Sequence, residues 1–171
     1  FSSNFPLYGD MSSRVMNILS KYTPNIEIYS IDEAFLEFKG FENYDLEQYG
    51  KEIRKIILKW TGIPVSIGFA PTKALAKVAN RISKKFDNKT GGVYAIDSEE
   101  KREKALKWLK IEDVWGIGYK HAIRLKSYKV DKACDFIILP DDWVRKQMSI
   151  VGLRLKKELE GKSVLSLEES R

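Results

Sequence analysis

The chain has 171 residues, enough for one solid domain or two small ones, and a chain of this size buries about 70% of its unfolded surface. Hydrophobic residues at 43% and charged residues at 32% are globular proportions, and no apolar run approaches the roughly 18 residues of a membrane-spanning helix, which argues against a membrane partner. Thirty Lys and Arg against twenty-four Asp and Glu leave +6, with a pI near 9.2, a balance that favours a polyanionic partner.

The single cysteine, Cys134, excludes an internal disulfide, and no charged-then-apolar leader is visible, so a reducing cytoplasm is the expected setting. The chain opens on Phe1, and its first residues, FSSNFPLYGDMS, run into a helical pattern with no strand before it. The start reads as a cut.

The first helical segment carries Met11, Val15, Ile18, Leu19 and Tyr22 at three-to-four spacing, with Asp10 and Ser12 as candidate caps and Pro24 barring continuation. Next, IEIYSI alternates Ile26 and Ile28 with polar neighbours, and AFLEF follows before Gly40. Between the two runs lie Asp32 and Glu33, so the expectation is a hairpin with an acidic corner. A second helix starts at the candidate cap Asp45, carries Leu46, Tyr49, Ile53, Ile56, Ile57 and Trp60 on one face, and ends before Gly62. PVSIGFA reads as a short buried strand, Pro71 and Thr72 punctuate it, and a helix follows. The turn KTGG and the run VYAI suggest a further strand. This order predicts an α+β layer, a mixed or antiparallel sheet with helices on one face.

From Ser98 onward only helical segments are expected, broken at residues 115–118, at Pro140 and at Gly152. The boundary between the α+β part, residues 1–97, and the all-α part, residues 98–171, carries no long linker.

Three strings carry chemistry. Adjacent strand residues point to opposite faces, so Asp32 and Glu33 serve one cluster only if the backbone turns between the strands. Oxygen-only carboxylates suit Mg²⁺, and two such ions activate an attacking oxygen and stabilise a leaving one. The bland alternative is a polar turn, which carboxylates commonly make. The second string is basic: between Thr72 and Thr90 stand Lys73, Lys77, Arg81, Lys84, Lys85 and Lys89 against Asp87, a local excess of five. At roughly 100° per residue Lys73, Lys77, Arg81, Lys84 and Lys85 share a third of the circumference, opposite Leu75, Val78, Ala79, Ile82 and Phe86. A solvated face is the alternative. The third, IEDVWGIGYKHAIRLKSYKV at 111–130, has the form of a helix-hairpin-helix. Its glycines let backbone approach a phosphate and free the next helix's first amides to bind it, a contact with DNA backbone rather than with sequence. Here the alternative is a tight helix connection.

YSIDEAFLEF, residues 29–38, resembles the second carboxylate motif of the Y-family, the translesion DNA polymerases, usually written S-[IL]-D-E-A. SIGFAPTKALAKVANRISKK at 66–85 resembles the segment in which a strand feeds a helix of phosphate-contacting lysines, and DVWGIGYK looks like the same family's thumb motif. The opening FSSNFPLYGDMSSRVM with EIYSIDEAF is most similar to the UmuC-like branch, the ImpB/MucB/SamB group. The resemblance implies residues 1–97 as a partial polymerase palm and 98–171 as a helical thumb. It implies Asp32 and Glu33 as catalytic metal ligands for two Mg²⁺ in the complete enzyme, and Lys84 as the contact to the incoming triphosphate, with Lys85 its nearest rival. Lys73 and Lys77 would meet template or primer phosphates, and Gly116, Gly118 and Lys120 would grip DNA.

The activity implied is template-directed deoxynucleotidyl transfer in damage bypass, repair and the SOS response, on primer-template DNA and dNTP. A sliding clamp and a UmuD-like subunit are implied as partners through regions outside this chain. The family's first metal-binding Asp would precede Phe1, so the fragment alone is expected to be inactive, with an exposed sheet edge. Two other readings remain: a non-catalytic DNA-binding module using the hairpin and the basic helix, and a protein-interaction scaffold. His121 is expected on the exposed side of its helix, Cys134 as a small core residue, and Trp60, Trp108 and Trp143 in the core.

Overall fold

The structure, a computed structural model, describes residues 3–41 and 44–168; Phe1 and Ser2, where the opening string begins, lie outside them. Packing divides the chain into two compact units. One runs to Ser66 and takes back the tail from Ser166; the other is Ile67–Leu165.

In the first unit, helix α1 spans Phe5–Leu19 and starts well before Asp10. Asn4 caps it by accepting the Leu7 amide at 3.2 Å, and Pro6 stands in the opening turn, where a missing N–H costs nothing. Asp10 instead pairs with Arg14 at 2.9 Å. Val15, Met16 and Ile18 are the buried face. Strands β1 (Ile26–Ile28) and β2 (Ala34–Leu36) pair antiparallel with Ile26 opposite Leu36 and Ile28 opposite Ala34. The expected alternation is inverted: Glu27 is the buried residue of β1, whereas Ile28 is half exposed. The reason is long-range, since the Glu27 carboxylate accepts the amide of Glu168 at 2.6 Å.

Helix α2 (Leu46–Thr61) is capped by Asp45, which accepts the Gln48 amide at 2.9 Å, and stops at Gly62 in the left-handed conformation. It buries Ile53 and Ile57. Trp60, expected in the core, is 62% exposed in the last turn, with the Lys21 ammonium over its ring. Tyr22, Phe38, Phe41 and Tyr49 make an aromatic cluster, edge-on except for the tilted Phe41–Tyr49 pair.

In the second unit, β3 (Ile67–Phe69) pairs in parallel with β4 (Val93–Ala95), and α3 (Lys73–Lys85) with the single turn α4 (Asp87–Thr90) makes the crossover. Gly68 is where β3 and α3 touch: a Cβ there would sit 2.2 Å from the Asn80 amide nitrogen. Helices α5 (Glu99–Trp108), α6 (Tyr119–Ser127), α7 (Ala133–Ile137) and α8 (Asp141–Leu159) follow, with a 3-10 turn at Ile111–Asp113. Their core is continuous with that of α3, joining Leu75 and Val78 to Leu106, Ile111, Leu125, Phe136, Val144 and Leu159. This core runs across residue 97.

α8 does not break at Gly152. It kinks at Ser149 (φ 62°), and the kink presses Gly152 so close to Met148 that a Cβ would lie 2.3 Å from the Met148 Cβ. Glu158, fully buried in α8, seats the start of α3. Its carbonyl accepts the Thr72 hydroxyl at 2.8 Å and its Oε2 the Ala74 amide at 3.2 Å, while Oε1 accepts the amides of Val164 and Leu165 at 2.7 and 2.9 Å. The result is the expected mixed α+β fold, with one antiparallel and one parallel strand pair among the described residues and a largely helical second half.

Candidate functional site

The acidic corner lies in the first unit. Its backbone does turn: the amides of Tyr29 and Ser30 both donate to the Glu33 carbonyl at 3.0 Å, which closes the hairpin over residues 30–32. Asp32 and Glu33 are exposed. The Ser30 hydroxyl donates to Asp32 Oδ1 at 2.6 Å, restraining the carboxylate. Two exposed carboxylates on a fixed turn are a donor set that Mg²⁺ accepts, since it binds through one or two carboxylates and keeps water or phosphate oxygens elsewhere. Among the described residues no group of three Asp, Glu, His or Cys side chains gathers around one point.

The basic helix lies in the second unit and forms as its sequence predicts. Thr72 caps α3 by accepting the Leu75 amide at 3.2 Å, and Ala74, Leu75, Val78, Ala79 and Ile82 are buried. Lys84 and Lys85 are exposed in the last turn and meet no acid among the described residues, whereas Lys73 and Lys77 are half-buried. Arg81 departs from the expected cationic face: its guanidinium is taken by Asp113 at 2.6 Å. Nothing local in the sequence announces that pairing, which spans more than thirty residues.

The hairpin is built on the buried pair Ile111 and Val114 and turns at Gly116, whose φ of +86° only glycine adopts without strain. Gly118 has ordinary backbone angles and is the N-cap of α6, with no side chain to cap the helix. The first amides, those of Tyr119, Lys120 and His121, are therefore uncapped donors at the positive end of the helix. A Cβ at Gly118 would meet nothing within 4 Å, so the turn itself is uncrowded at that point. Lys120 is exposed beside them. Ile117 is buried and anchors the loop from behind.

Of the residues set aside, Trp108 and Trp143 pack partly buried against the core, as does Trp115 of the hairpin, and His121 is half-buried rather than exposed. Burial pushes the Cys134 thiol above its ordinary range, which suits a packed cysteine and not a nucleophile. Sequence reading missed Glu158, because a glutamate in a helical segment carries no local sign that it will be fully buried.

Residues 1–81 match the model of the impB/mucB/samB family. The chain is 41% identical over 170 residues to Protein UmuC of Salmonella typhimurium, covering 99% of this chain and 40% of that protein. It is 36% identical to Protein SamB of Salmonella typhimurium over 99% of this chain and 41% of that one, and 36% identical to DNA polymerase IV of Saccharolobus solfataricus over 80% and 38%. Among solved structures, a Y-family DNA polymerase chimera of Dbh and Dpo4 superposes with a TM-score of 0.79 at 30% identity, over 97% of this chain and 48% of that chain. The insertion ternary complex of Dbh DNA polymerase gives 0.77 at 31% identity, over 95% and 47%. The chain thus spans about two fifths of the length of the curated relatives it matches.

Proposed function

Because the chain belongs to the impB/mucB/samB group of Y-family DNA polymerases, we propose that the full-length protein carries out template-directed deoxynucleotidyl transfer past damaged bases, on primer-template DNA with dNTP. The acidic corner carries this reading. Asp32 and Glu33 hold the metal, the Ser30 hydroxyl keeps Asp32 in place, and the third ligand of a two-metal site comes from the rest of the protein. Bound there, Mg²⁺ supplies charge neutralisation for the attacking and leaving oxygens of phosphoryl transfer. Lys84 neutralises the triphosphate of the incoming nucleotide, and Lys85, equally exposed, is its rival. Lys73 and Lys77 meet template or primer phosphates. The uncapped amides after Gly118, with Gly116 shaping the turn and Lys120 beside it, hold the DNA backbone without reading bases.

In this reading residues 1–97 belong to the palm and 98–171 to the thumb. The described helices include none long and apolar enough to cross a membrane, and a cytoplasmic protein of the SOS response, working with a sliding clamp and a UmuD-like subunit, is the setting proposed. Rate enhancement comes from positioning and charge, with no covalent intermediate.

The test is single-nucleotide primer extension by the full-length protein beside Asp32→Ala. Mg²⁺-dependent extension that disappears in the variant is the expected result, and the 171-residue chain alone is expected to leave the primer unextended. Extension surviving in Asp32→Ala would displace the metal site. No extension by the full-length protein with DNA binding intact would favour the second reading, a non-catalytic DNA-binding module. The first amides of α6, which no side chain caps among the described residues, and the exposed Lys84 and Lys85 support that reading without the acidic corner.

A further inference from the structure

The geometry points to Arg81 as a positioning residue that, through Asp113, fixes the basic helix to the glycine hairpin, rather than as a fifth phosphate contact. The inference rests on the DNA-binding reading above.

Arg81 lies one turn before Lys84 on α3 and at helical spacing from Lys73 and Lys77. Its side chain is half exposed, as a phosphate contact would be, yet its Nη2 stands 2.6 Å from Asp113 Oδ1. A guanidinium committed to a carboxylate offers a neutral pair to passing DNA, which leaves the exposed Lys84 and Lys85 as cations of the last turn of α3. Planar, forked and always charged, arginine is the cation suited to a fixed ion pair, where lysine serves as a mobile point charge.

Both ends of the pair stand beside packed residues. Arg81 is flanked by the buried Val78 and Ile82; Asp113 sits between the buried Ile111 and Val114, with its own amide bonded to the Lys110 carbonyl at 3.0 Å. The neighbouring acid of the same 3-10 turn, Glu112, takes Lys126 of α6 at 3.0 Å. Two consecutive carboxylates thus tie one turn to two helices: Asp113 to the helix that carries Lys84, and Glu112 to the helix whose first amides are uncapped. Partly exposed ion pairs add little to stability. What this one supplies is orientation, holding the cations of α3 and the donors of the hairpin in one arrangement so that DNA meets both together.

The experiment compares the full-length protein with Arg81→Gln, Asp113→Asn and the exchanged pair Arg81→Asp/Asp113→Arg. Fluorescence anisotropy with a labelled primer-template duplex is read across a salt series, with thermal midpoints as the check on folding. Each single variant is expected to weaken DNA affinity about three- to tenfold with the salt slope unchanged, and the exchanged pair to recover most of the loss. A merely structural pair would move the midpoints and not the affinity of the folded protein. If Arg81→Gln flattens the slope by about one while Asp113→Asn leaves affinity unchanged or tightens it, Arg81 is a phosphate contact and the inference falls. A folded exchange variant that recovers nothing overturns it as well. Wild-type binding without salt dependence would remove the DNA reading itself, and the role of the pair with it.

Discussion

Glu158 gathers the amides of Ala74, Val164 and Leu165 on one fully buried carboxylate. Glu158→Ala leaves three backbone donors without a partner, and a loss of about 2–5 kcal/mol is expected by urea denaturation. Glu158→Gln keeps one acceptor oxygen and should lose less, about 1–2 kcal/mol. Gly68 is constrained in the opposite sense, by lack of room. The atoms a Cβ would strike are the backbone of α3, Asn80 N and Ala76 O, and backbone cannot rotate away. Gly68→Ala should therefore cost about 1–3 kcal/mol of overpacking, seen as a lower urea midpoint with an unchanged m-value. Ala at Gly118, where nothing lies within 4 Å, should leave that midpoint nearly unchanged, so the pair of substitutions separates close packing from mere glycine content.

At the scale of elements, α8 is closed on itself electrostatically. Asp141 in its first turn meets Lys156 at 2.5 Å and Lys157 at 2.6 Å in its last turns, and these ammonium groups hold the Asp141 carboxyl down to about 2 from an ordinary 3.8. A carboxyl with a depressed folded pKa contributes its full stabilisation above the ordinary value and loses it as pH falls through the depressed one. The difference in urea midpoint between wild type and Asp141→Asn should therefore be constant above pH 3.8 and close as pH approaches about 2. A difference that persists unchanged below that point would assign the effect to helix capping instead.

Elements were legible where their ends are coded locally. Asp45 and Gly62 bound α2, and Thr72 opens α3, as their residue types predict. The start of α1 was not, because Phe5, Leu7 and Tyr8 are exposed and give the first turns no apolar period. The face of β1 was read inverted because the partner that buries Glu27 lies 141 residues away. The candidate site divides in the same manner: the corner at Asp32 and the turn at Gly116 are local and readable, while the diversion of Arg81 to Asp113 exists only in the folded chain.

For the molecule as a whole, the charge distribution sets how it should respond to salt. With about four phosphates neutralised by the lysines of α3 and the hairpin, log affinity should fall against log salt with a slope near −3.6, roughly a 150-fold loss from about 50 to 200 mM. Anisotropy titrations measure it, and a flat response would remove both DNA readings. The seating of α3 by Glu158 has a further consequence in time. The two residues that bond, Ala74 and Glu158, are 84 positions apart. At about 5–20 residues per second, synthesis delivers the helix some 4–17 s before the carboxylate that seats it. Through that interval the first turn of α3 is capped by Thr72 without the carboxylate that seats it, and a polyanion near the ribosome meets the helix before that end is fixed.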